Sequence, residues 1–467
     1  MQSRIHSTPR SIDPDALWRT LRRTLSLNGP AEARVLVAEL GVSQPTFSRL
    51  VAAHRDDLVT TGRTRSTRYA ARRRIEGLPS VVPLYEVLGE GPARTRLLAR
   101  LHPVEPAGFL VESDTPLAGF YPGVPWFLDD LRPAGFLGRL APVHHPELGF
   151  SRDILAWSND QVVTYLHQHG HDLVGNLVLG EPTFLRHLHA GVANAVPLAD
   201  RAERYPALAA DMVAAGIPGS SAAGEQPKFL ATRLDGGAAV PVLVKFSPPV
   251  GDAVGRRVAD LLVCEHVALS TIAAHGPTAA RSTLLHHGGR TFLEVERFDR
   301  SGATGRRGVV SLRVLDAEFV GEPTSWTSVA TALTTQRRID AATFDQILWL
   351  ERFGAWIGNT DRHLGNLSLR LDNGVLGGLA PAYDMLPMVY APRNNELVPV
   401  ELGMPMLSPT RTDVWMSTWA AAVTFWERVA CHLEVSPDFG VIARDNMGRV
   451  AAQRSLLDRL PGHRTTL

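Results

Sequence analysis

The sequence predicts an α+β chain in which a small helical module with a β-hairpin precedes a strand-rich lobe and then a helical lobe. Apolar residues recur at helical spacing near both ends of the chain. Between about residues 82 and 150, short apolar runs alternate with Pro and Gly turns. The 467 residues are 45% hydrophobic and 20% charged, which is typical of a globular protein of roughly two to four domains.

These patterns give four expected segments. Residues 1–76 form the small helical module and residues 77–82 a linker. Residues 83–305 form the strand-rich lobe, and residues 306–467 an all-helical lobe.

Composition also restricts the compartment. No apolar run approaches the ~20 residues of a membrane span, and the first residues lack the apolar core of a secretory signal. Cys264 and Cys431 are the only cysteines, too few for a disulfide framework or a cysteine zinc site. We therefore expect a cytoplasmic protein with no membrane partner.

The N-terminal module carries most of the positive charge. Residues 1–75 contain 14 Arg and 6 Asp or Glu, a net charge of +8, so the remainder has a net charge of −7 within the overall +1. A basic end on an acidic body favours binding of a polyanion, although a solvated charged arm would have the same composition.

Local signals divide this module into three helices and a hairpin. Residues 14–27 and 31–40 show helical periodicity, and Ser43 can cap a third helix with Pro45 in its first turn. Two β-runs follow within residues 58–71, joined by a basic turn. This order is typical of a winged helix-turn-helix that binds DNA.

The third helix would present its polar face to the major groove, and the turn would reach phosphate. The expected DNA-binding residues are Gln44, Thr46, Ser48 and Arg49 on the helix and Arg63 and Arg65 in the wing. We expect binding as a homodimer to an inverted repeat near the protein's own promoter. The alternative is a helical bundle used for protein contacts.

Lysine usage singles out a second region. Of 48 basic residues only Lys228 and Lys245 are lysines, and they lie within 18 residues of each other. In so Arg-rich a chain, a retained lysine indicates a site that needs a compact ammonium. Lys228 follows a small-residue loop, 219–224, and Lys245 ends a β-branched strand. This pattern is typical of a kinase-like phosphate site.

A third region supplies carboxylates. Asp361 and Asn366 have the D-x-x-x-x-N spacing of a kinase catalytic loop, and a predicted strand pair, 367–371 and 375–379, leads to Asp384. Asp361 would accept the proton of a hydroxyl, while Asn366 and Asp384 would bind Mg²⁺. The sequence therefore predicts phosphoryl transfer from ATP.

Several stretches together resemble the HipA family of toxin kinases: SAAGEQPK, VKF, VERFDR, NTDRHLGN and AYDM, which span residues 219–385. FLDDLRPAGFLGR and DLVGNLVL resemble its N-terminal region, so the similarity covers most of residues 83–450. The fused N-terminal module resembles the longer, YjjJ-like branch.

The resemblance implies a two-lobed protein-kinase-like fold and assigns further roles. Ser221, with Ser220 as its neighbour, matches the autophosphorylated loop serine, and the substrate would be a protein modified on Ser or Thr, such as a translation-related protein. Glu296 and Phe298 would form the adenine hinge. The nucleotide-binding residues would be Ala223, Gly224, Gln226, Lys228, Lys245, Glu296, Phe298, His363, Asn366, Tyr383 and Asp384.

Two other functions remain open at this point. One is a transcriptional regulator whose kinase domain is a sensor or a relic, which the retained Asp361, Asn366, Asp384 and Lys245 argue against. The other is a metal-dependent enzyme that acts on DNA, which would leave the two lysines unexplained.

Overall fold

A computed structural model describes residues 13–62, 67–189, 192, 194–214, 226–321 and 325–460. The described residues up to Ala71 fold into three helices and a small sheet of order β1-β3-β2. Their bounds are α1 (Pro14–Asn28), β1 (Ala31–Glu32), α2 (Ala33–Leu40), α3 (Gln44–Ala53), β2 (Leu58–Thr61) and β3 (Arg68–Ala71).

Capping residues set the ends of these helices. The Asp13 carboxylate accepts from the Asp15 N–H at the start of α1. The Ser43 hydroxyl accepts from the Thr46 N–H at 3.4 Å at the start of α3. Gly41 ends α2 in the left-handed region, at φ 62°. Leu21, Leu25, Leu36, Phe47 and Leu50 fill the core between the helices.

A five-stranded antiparallel sheet of order β7-β6-β5-β4-β8 follows. Its strands are β4 (Val82–Val87), β5 (Thr95–Pro103), β6 (Phe109–Glu112), β7 (Gly119–Tyr121) and β8 (Leu177–Leu179). The helices around it are α4 (Trp126–Asp129), α5 (Gly135–Gly138), α6 (Ala141–His144), α7 (Asn159–His169) and α8 (Glu181–His189).

The N-terminal sheet packs directly against this second sheet. Val59 and Ala70 form a buried cluster with Val104 and Leu110. The guanidinium of Arg73 donates to Asp160 at 3.0 Å and to the Val104 carbonyl at 3.2 Å. These hydrogen bonds hold in place the segment that connects the two sheets.

A third sheet, of order β12-β13-β11-β10-β9, carries the two lysines. Its elements are β9 (Ala195–Pro197), α9 (Arg201–Ala214), β10 (Lys228–Asp235), β11 (Ala238–Phe246), α10 (Ala253–His275), β12 (Ser282–His287) and β13 (Arg290–Glu296). The long helix α10 packs against β13 and is mostly buried. Helix α10 is long and apolar enough to cross a membrane. However, 72% of its most apolar stretch is buried inside the protein, as is usual for the core helix of a soluble protein.

The C-terminal part is mainly helical but also contains strands. The remaining elements are β14 (Arg300–Ser301), β15 (Gly305–Arg306), β16 (Val309–Ser311), α11 (Leu312–Phe319), α12 (Trp326–Thr335), α13 (Ala341–Trp356), β17 (Ser368–Asp372), β18 (Val375–Leu379), α14 (Thr412–Ala430), α15 (Pro437–Ala451) and α16 (Arg454–Leu457).

The expectation of an all-helical C-terminal lobe is therefore wrong. Strands β16, β17 and β18 form an antiparallel sheet within residues 306–467. Asn373 and Gly374, at φ 53° and 76°, make the tight turn between β17 and β18. Leu369 and Leu371 are buried on β17, so this sheet is part of the core. The position of β18 in this sheet sets the direction in which the following segment leaves.

Candidate functional site

The hairpin of β10 and β11 places the two lysines face to face. Lys228 pairs with Lys245 across the antiparallel register, and Gly236 and Gly237, both at positive φ, turn the chain between the strands. Directly paired residues project from the same face of a sheet. Both ammonium groups therefore lie on one side of the hairpin.

Lys245 is the centre of a buried ion network. Its ammonium donates to both oxygens of Glu265, at 2.7 and 2.8 Å, and also to the carboxylate of Asp384. The side chains of Lys245, Glu265 and Asp384 are 7%, 1% and 30% exposed. The network links β11, helix α10 and the segment after β18, so it fixes these three elements relative to one another.

Burial and charge act in opposite directions in this network. Burial alone would lower the pKa of Lys245, but the charges of Asp384 and Glu265 outweigh it and raise that pKa. Burial raises the pKa of Glu265 despite the neighbouring lysine. Burial would also raise the pKa of Asp384, but Lys245 and Lys228 outweigh it and lower that pKa. Asp384 therefore keeps its negative charge more readily than Glu265.

The backbone holds Asp384 in an uncommon conformation. Its φ is 51°, in the left-handed region, which Asp tolerates better than most residues. The preceding residue, Tyr383, is fixed because its hydroxyl donates to the Gly365 carbonyl at 2.8 Å and lies 2.9 Å from the Ser368 hydroxyl. These contacts bring Asp384 to the loop that contains Asp361.

That loop, residues 359–366, is braced by its own side chains. The Asn359 amide oxygen accepts from the Asp361 N–H at 3.0 Å, and the Asn359 amide nitrogen lies 3.5 Å from the Asp384 carbonyl. The Asn366 amide donates to the Asp361 carbonyl at 2.9 Å. Asp361 is exposed and Asn366 buried, so the loop offers a carboxylate to solvent and anchors itself through the amide.

His363 helps to shape this loop. Its Nδ1 accepts from the Gly365 N–H at 3.0 Å, and its carbonyl accepts from the Trp326 indole at 3.0 Å. Its ring is exposed. Because Nδ1 is used within the loop, the other ring nitrogen is the one that a ligand would meet.

A cavity of about 410 Å³ lies between the lysine-bearing sheet and the C-terminal lobe. The charged and aromatic residues in its wall include Lys228, Lys245, Glu265, Glu296, Phe298, Tyr383 and Asp384. Six of these were predicted from the sequence. Gln226, Asp361, His363 and Asn366 lie outside this wall, and Gln226 donates to the Phe246 carbonyl at 2.5 Å.

The predicted hinge is partly occupied by the protein's own hydrogen bonds. The Glu296 N–H donates to the Arg281 carbonyl at 2.8 Å, and the Phe298 carbonyl accepts from Arg370 at 3.2 Å. The Phe298 ring lies 5.4 Å from the Tyr383 ring, centroid to centroid. These two rings form an apolar wall suited to a flat ligand.

The oxygen donors in this region suit Mg²⁺. Asp384 supplies a carboxylate of lowered pKa. In Asn366 the amide nitrogen is used to anchor the loop, and the oxygen of the same amide points in a different direction. Hard oxygen ligands of this type are those that Mg²⁺ prefers. The residues present therefore fit the ion.

Glu265 was not predicted from the sequence. Its signal was a carboxylate in the middle of a strongly apolar helix, 20 residues after Lys245. A buried carboxylate is rarely left without a partner, and a lysine is the natural partner. The predicted Ser220, Ser221, Ala223, Gly224, Arg63 and Arg65 lie outside the described residues.

On the N-terminal helix α3 the predicted DNA-binding residues differ in exposure. Gln44, Ser48 and Arg49 are exposed. Thr46 is half-buried, and its hydroxyl lies 2.9 Å from that of Ser43. Thr46 thus takes part in capping the helix.

Two protein-family models match the chain: the YjjJ-like toxin, middle domain, over residues 46–188, and the HipA-like C-terminal domain over residues 220–451. Toxin YjjJ of Escherichia coli (strain K12) is 34% identical over 443 residues, which are 94% of this chain and 99% of that protein.

Among solved structures, a chain of the Shewanella oneidensis MR-1 toxin-antitoxin complex of HipA, HipB and operator DNA aligns with 82% of this chain and 97% of its own. The TM-score is 0.51 and the identity 17%. The Helicobacter pylori proinflammatory kinase CtkA aligns with 51% of this chain and 93% of its own, and its TM-score of 0.36, at 13% identity, is too low to support a shared fold by itself.

Proposed function

Since this chain belongs to the HipA family of toxins, in its YjjJ-like branch, we propose that it is an ATP- and Mg²⁺-dependent protein serine/threonine kinase of the cytoplasm. The observation that carries the proposal is the buried network of Lys245, Glu265 and Asp384. A strand lysine paired with a helix glutamate, next to a metal-binding aspartate, is the arrangement by which kinases hold nucleotide phosphates.

We propose a role for each residue of the site. The adenine would enter between Phe298 and the neighbouring strands, with its phosphates toward Lys228 and Lys245. Asp384 and Asn366 would hold Mg²⁺, which would neutralise charge on the phosphates. Asp361 would take the proton of a substrate hydroxyl as that oxygen bonds to the γ-phosphorus and ADP leaves.

The decisive experiment is mass spectrometry of the full chain after incubation with Mg-ATP. We expect phosphate on a serine, for which Ser221 is the first candidate and Ser220 the second, and we expect Asp361→Ala to slow transfer by about two to four orders of magnitude. Asp372→Ala is the matched control, because Asp372 is an exposed carboxylate at the end of β17.

The outcomes separate the competing functions. Transfer at the wild-type rate in Asp361→Ala would contradict the assignment of this residue. A wild-type protein that binds ATP and never transfers phosphate would favour the sensor or relic. Cleavage of DNA with Mg²⁺ and without ATP would favour the DNA-acting enzyme.

The N-terminal module supports a second role in binding DNA. The order of α1–α3 and the β2–β3 hairpin is compatible with a winged helix-turn-helix, and Gln44, Ser48 and Arg49 are exposed on α3. The structurally similar Shewanella chain comes from a complex with operator DNA. We propose that this module binds the protein's own promoter as a homodimer and so limits the dose of the toxin.

Fluorescence anisotropy with the upstream DNA and a scrambled duplex, over a salt series, tests this role. Sequence-specific binding should persist at salt concentrations that abolish binding to the scrambled DNA. Equal affinity for both duplexes would leave the module as a general polyanion-binding or protein-contact domain.

A further inference from the structure

A second, smaller cavity lies beside the large one and has a different character. It measures about 110 Å³ and is lined by three arginines and two histidines: Arg297, Arg300, Arg306, His171 and His187. Asp172, Leu230 and Arg297 belong to the walls of both cavities. Arg297 stands between Glu296 and Phe298, so the small cavity lies directly behind the predicted hinge.

Two of the arginines are neutralised by carboxylates. Asp299 pairs with Arg297 at 2.9 Å and with Arg300 at 2.8 Å. Asp172 pairs with Arg300 at 3.0 Å and lies 3.6 Å from Arg297. These four residues form a balanced network of two positive and two negative charges.

Arg306 lies outside this balance. It is only 4% exposed, and among the described residues no carboxylate lies within ion-pair distance of it. Its Nη2 donates to the His171 carbonyl and lies 3.3 Å from His187 Nδ1. Its Nη1 is buried and has no hydrogen-bond partner in the described part of the chain.

Burying the Arg306 guanidinium in this way costs folding free energy unless an anion binds beside it. A buried guanidinium without a counter-charge loses its hydration and gains no compensating attraction. Burial, together with the charge of Arg300, lowers the pKa of Arg306 to about 9. Burial and the charges of Arg306 and Arg300 lower the pKa of His187 to about 4. Burial is the largest cause of both shifts, and the neighbouring arginines act in the same direction while Asp172 opposes them.

We propose that the small cavity is a binding site for a single phosphate-type oxyanion, with Arg306 as its principal ligand. The volume of about 110 Å³ equals that of roughly three or four waters, which suits one tetrahedral oxyanion. Arg306 Nη1 would donate to the anion. The side chains of Thr232 and Thr304 in the same wall offer hydroxyl groups.

This site is separate from the proposed nucleotide site and does not depend on kinase activity. It would connect with that site through Arg297, whose guanidinium is shared by the two walls and held by Asp299. An oxyanion behind the hinge would relieve the repulsion among the arginines and stabilise the hinge segment.

Isothermal titration calorimetry of the full chain with inorganic phosphate tests the proposal. The protein is first saturated with Mg²⁺ and a non-hydrolysable ATP analogue, which fills the large cavity, and chloride keeps the ionic strength constant. We expect one phosphate per chain, and an affinity about tenfold weaker or worse in Arg306→Gln. Arg306→Lys, which keeps the charge, should retain part of the binding.

Arg352→Gln is the matched control. Arg352 is also buried, on α13, and donates to the backbone carbonyls of Thr410 and Arg411 at 2.9 and 2.7 Å. It should bind phosphate like the wild type. Phosphate should raise the melting temperature of the wild type and of Arg352→Gln, with no effect on Arg306→Gln.

Three results would overturn the proposal: no phosphate binding by the nucleotide-saturated wild type, equal affinity in Arg306→Gln, or full displacement of phosphate by the nucleotide analogue. Titration with O-phosphoserine identifies the source of the ligand. If O-phosphoserine binds at least as tightly as phosphate, the natural ligand is a phosphorylated side chain. If it binds more weakly, the natural ligand is the free ion. Either result supports the site.

Discussion

Replacing Lys245 by methionine tests the central ion network. Methionine has nearly the length of lysine and no charge, so Lys245→Met leaves Glu265, which is 1% exposed, as a buried carboxylate without a counter-charge. Breaking a buried pair in this way costs about 3–5 kcal/mol of folding free energy. Urea-induced unfolding, followed by tryptophan fluorescence, measures this loss.

The loss should depend on pH with a definite sign. Burial already raises the pKa of Glu265 above its usual range, and removal of Lys245 raises that pKa further. In the variant the folded state then binds a proton that the unfolded chain releases, so stability falls as pH rises from the unfolded pKa toward the folded pKa. Lys245→Met should therefore be closer to the wild type near about pH 5 than near about pH 7.5.

Two further variants complete this test. The double variant Lys245→Met/Glu265→Gln removes both charges and should recover much of the lost stability, since neutral groups tolerate burial better. Lys228→Met is the matched control, because Lys228 faces Lys245 across the hairpin but is only half-buried, and it should cost about 1 kcal/mol or less. A Lys245→Met protein as stable as the wild type at both pH values would refute the energetic role of the network.

Further perturbations address the proposed functions. Lys245→Arg keeps the charge but should lose phosphotransfer, because the wider guanidinium cannot occupy the same point; normal ATP affinity and turnover would contradict the argument from lysine scarcity. Phosphorylation at Ser221 adds about −1.5 to −2 charges and should weaken ATP binding in calorimetry relative to Ser221→Ala; equal affinities would exclude a switch in this loop. Arg49→Ala should relax specificity at one base pair, at a cost of about 1–3 kcal/mol, whereas Arg63→Ala should weaken all duplexes alike and reduce the salt dependence, both measurable by anisotropy; identical profiles for the two variants would contradict this assignment.

Local signals predicted the elements that they control. Ser43 and Pro45 indicated the start of α3, and the strand pair expected at 367–371 and 375–379 agrees within one residue with β17 and β18. These features depend on capping and turn chemistry within a few residues, which the sequence displays directly.

Features that depend on distant contacts could not be predicted in the same way. The short helices α4, α5 and α6 lie in a stretch expected to be strand-rich. Each has only four residues and depends on packing against distant elements: Phe127 of α4 and Ala141 of α6 belong to the main core, and α5 contacts β10.

The candidate site shows the same division. The order of lysine, loop and late aspartate was visible in the sequence, and six of the predicted residues line one cavity. The contact of Lys245 with Asp384 joins residues 139 positions apart, and no local pattern indicates which carboxylates will meet an ammonium over such a separation. The small arginine-lined cavity was equally hidden, since its walls combine residues from many elements, among them α8, β10, β14, β15 and the segment around His171.

The seam between the N-terminal sheet and the second sheet has a practical consequence. Val59, Ala70, Val104 and Leu110 are at most 2% exposed, and they belong to both sides of this seam. A truncation that removes the first 76 residues would expose Val104 and Leu110 to water. It would also remove Arg73 and so leave the carboxylate of Asp160 without its ion-pair partner. Such a shortened toxin would be prone to aggregation, so loss of activity on truncation would report a damaged catalytic body as readily as a missing DNA-binding module.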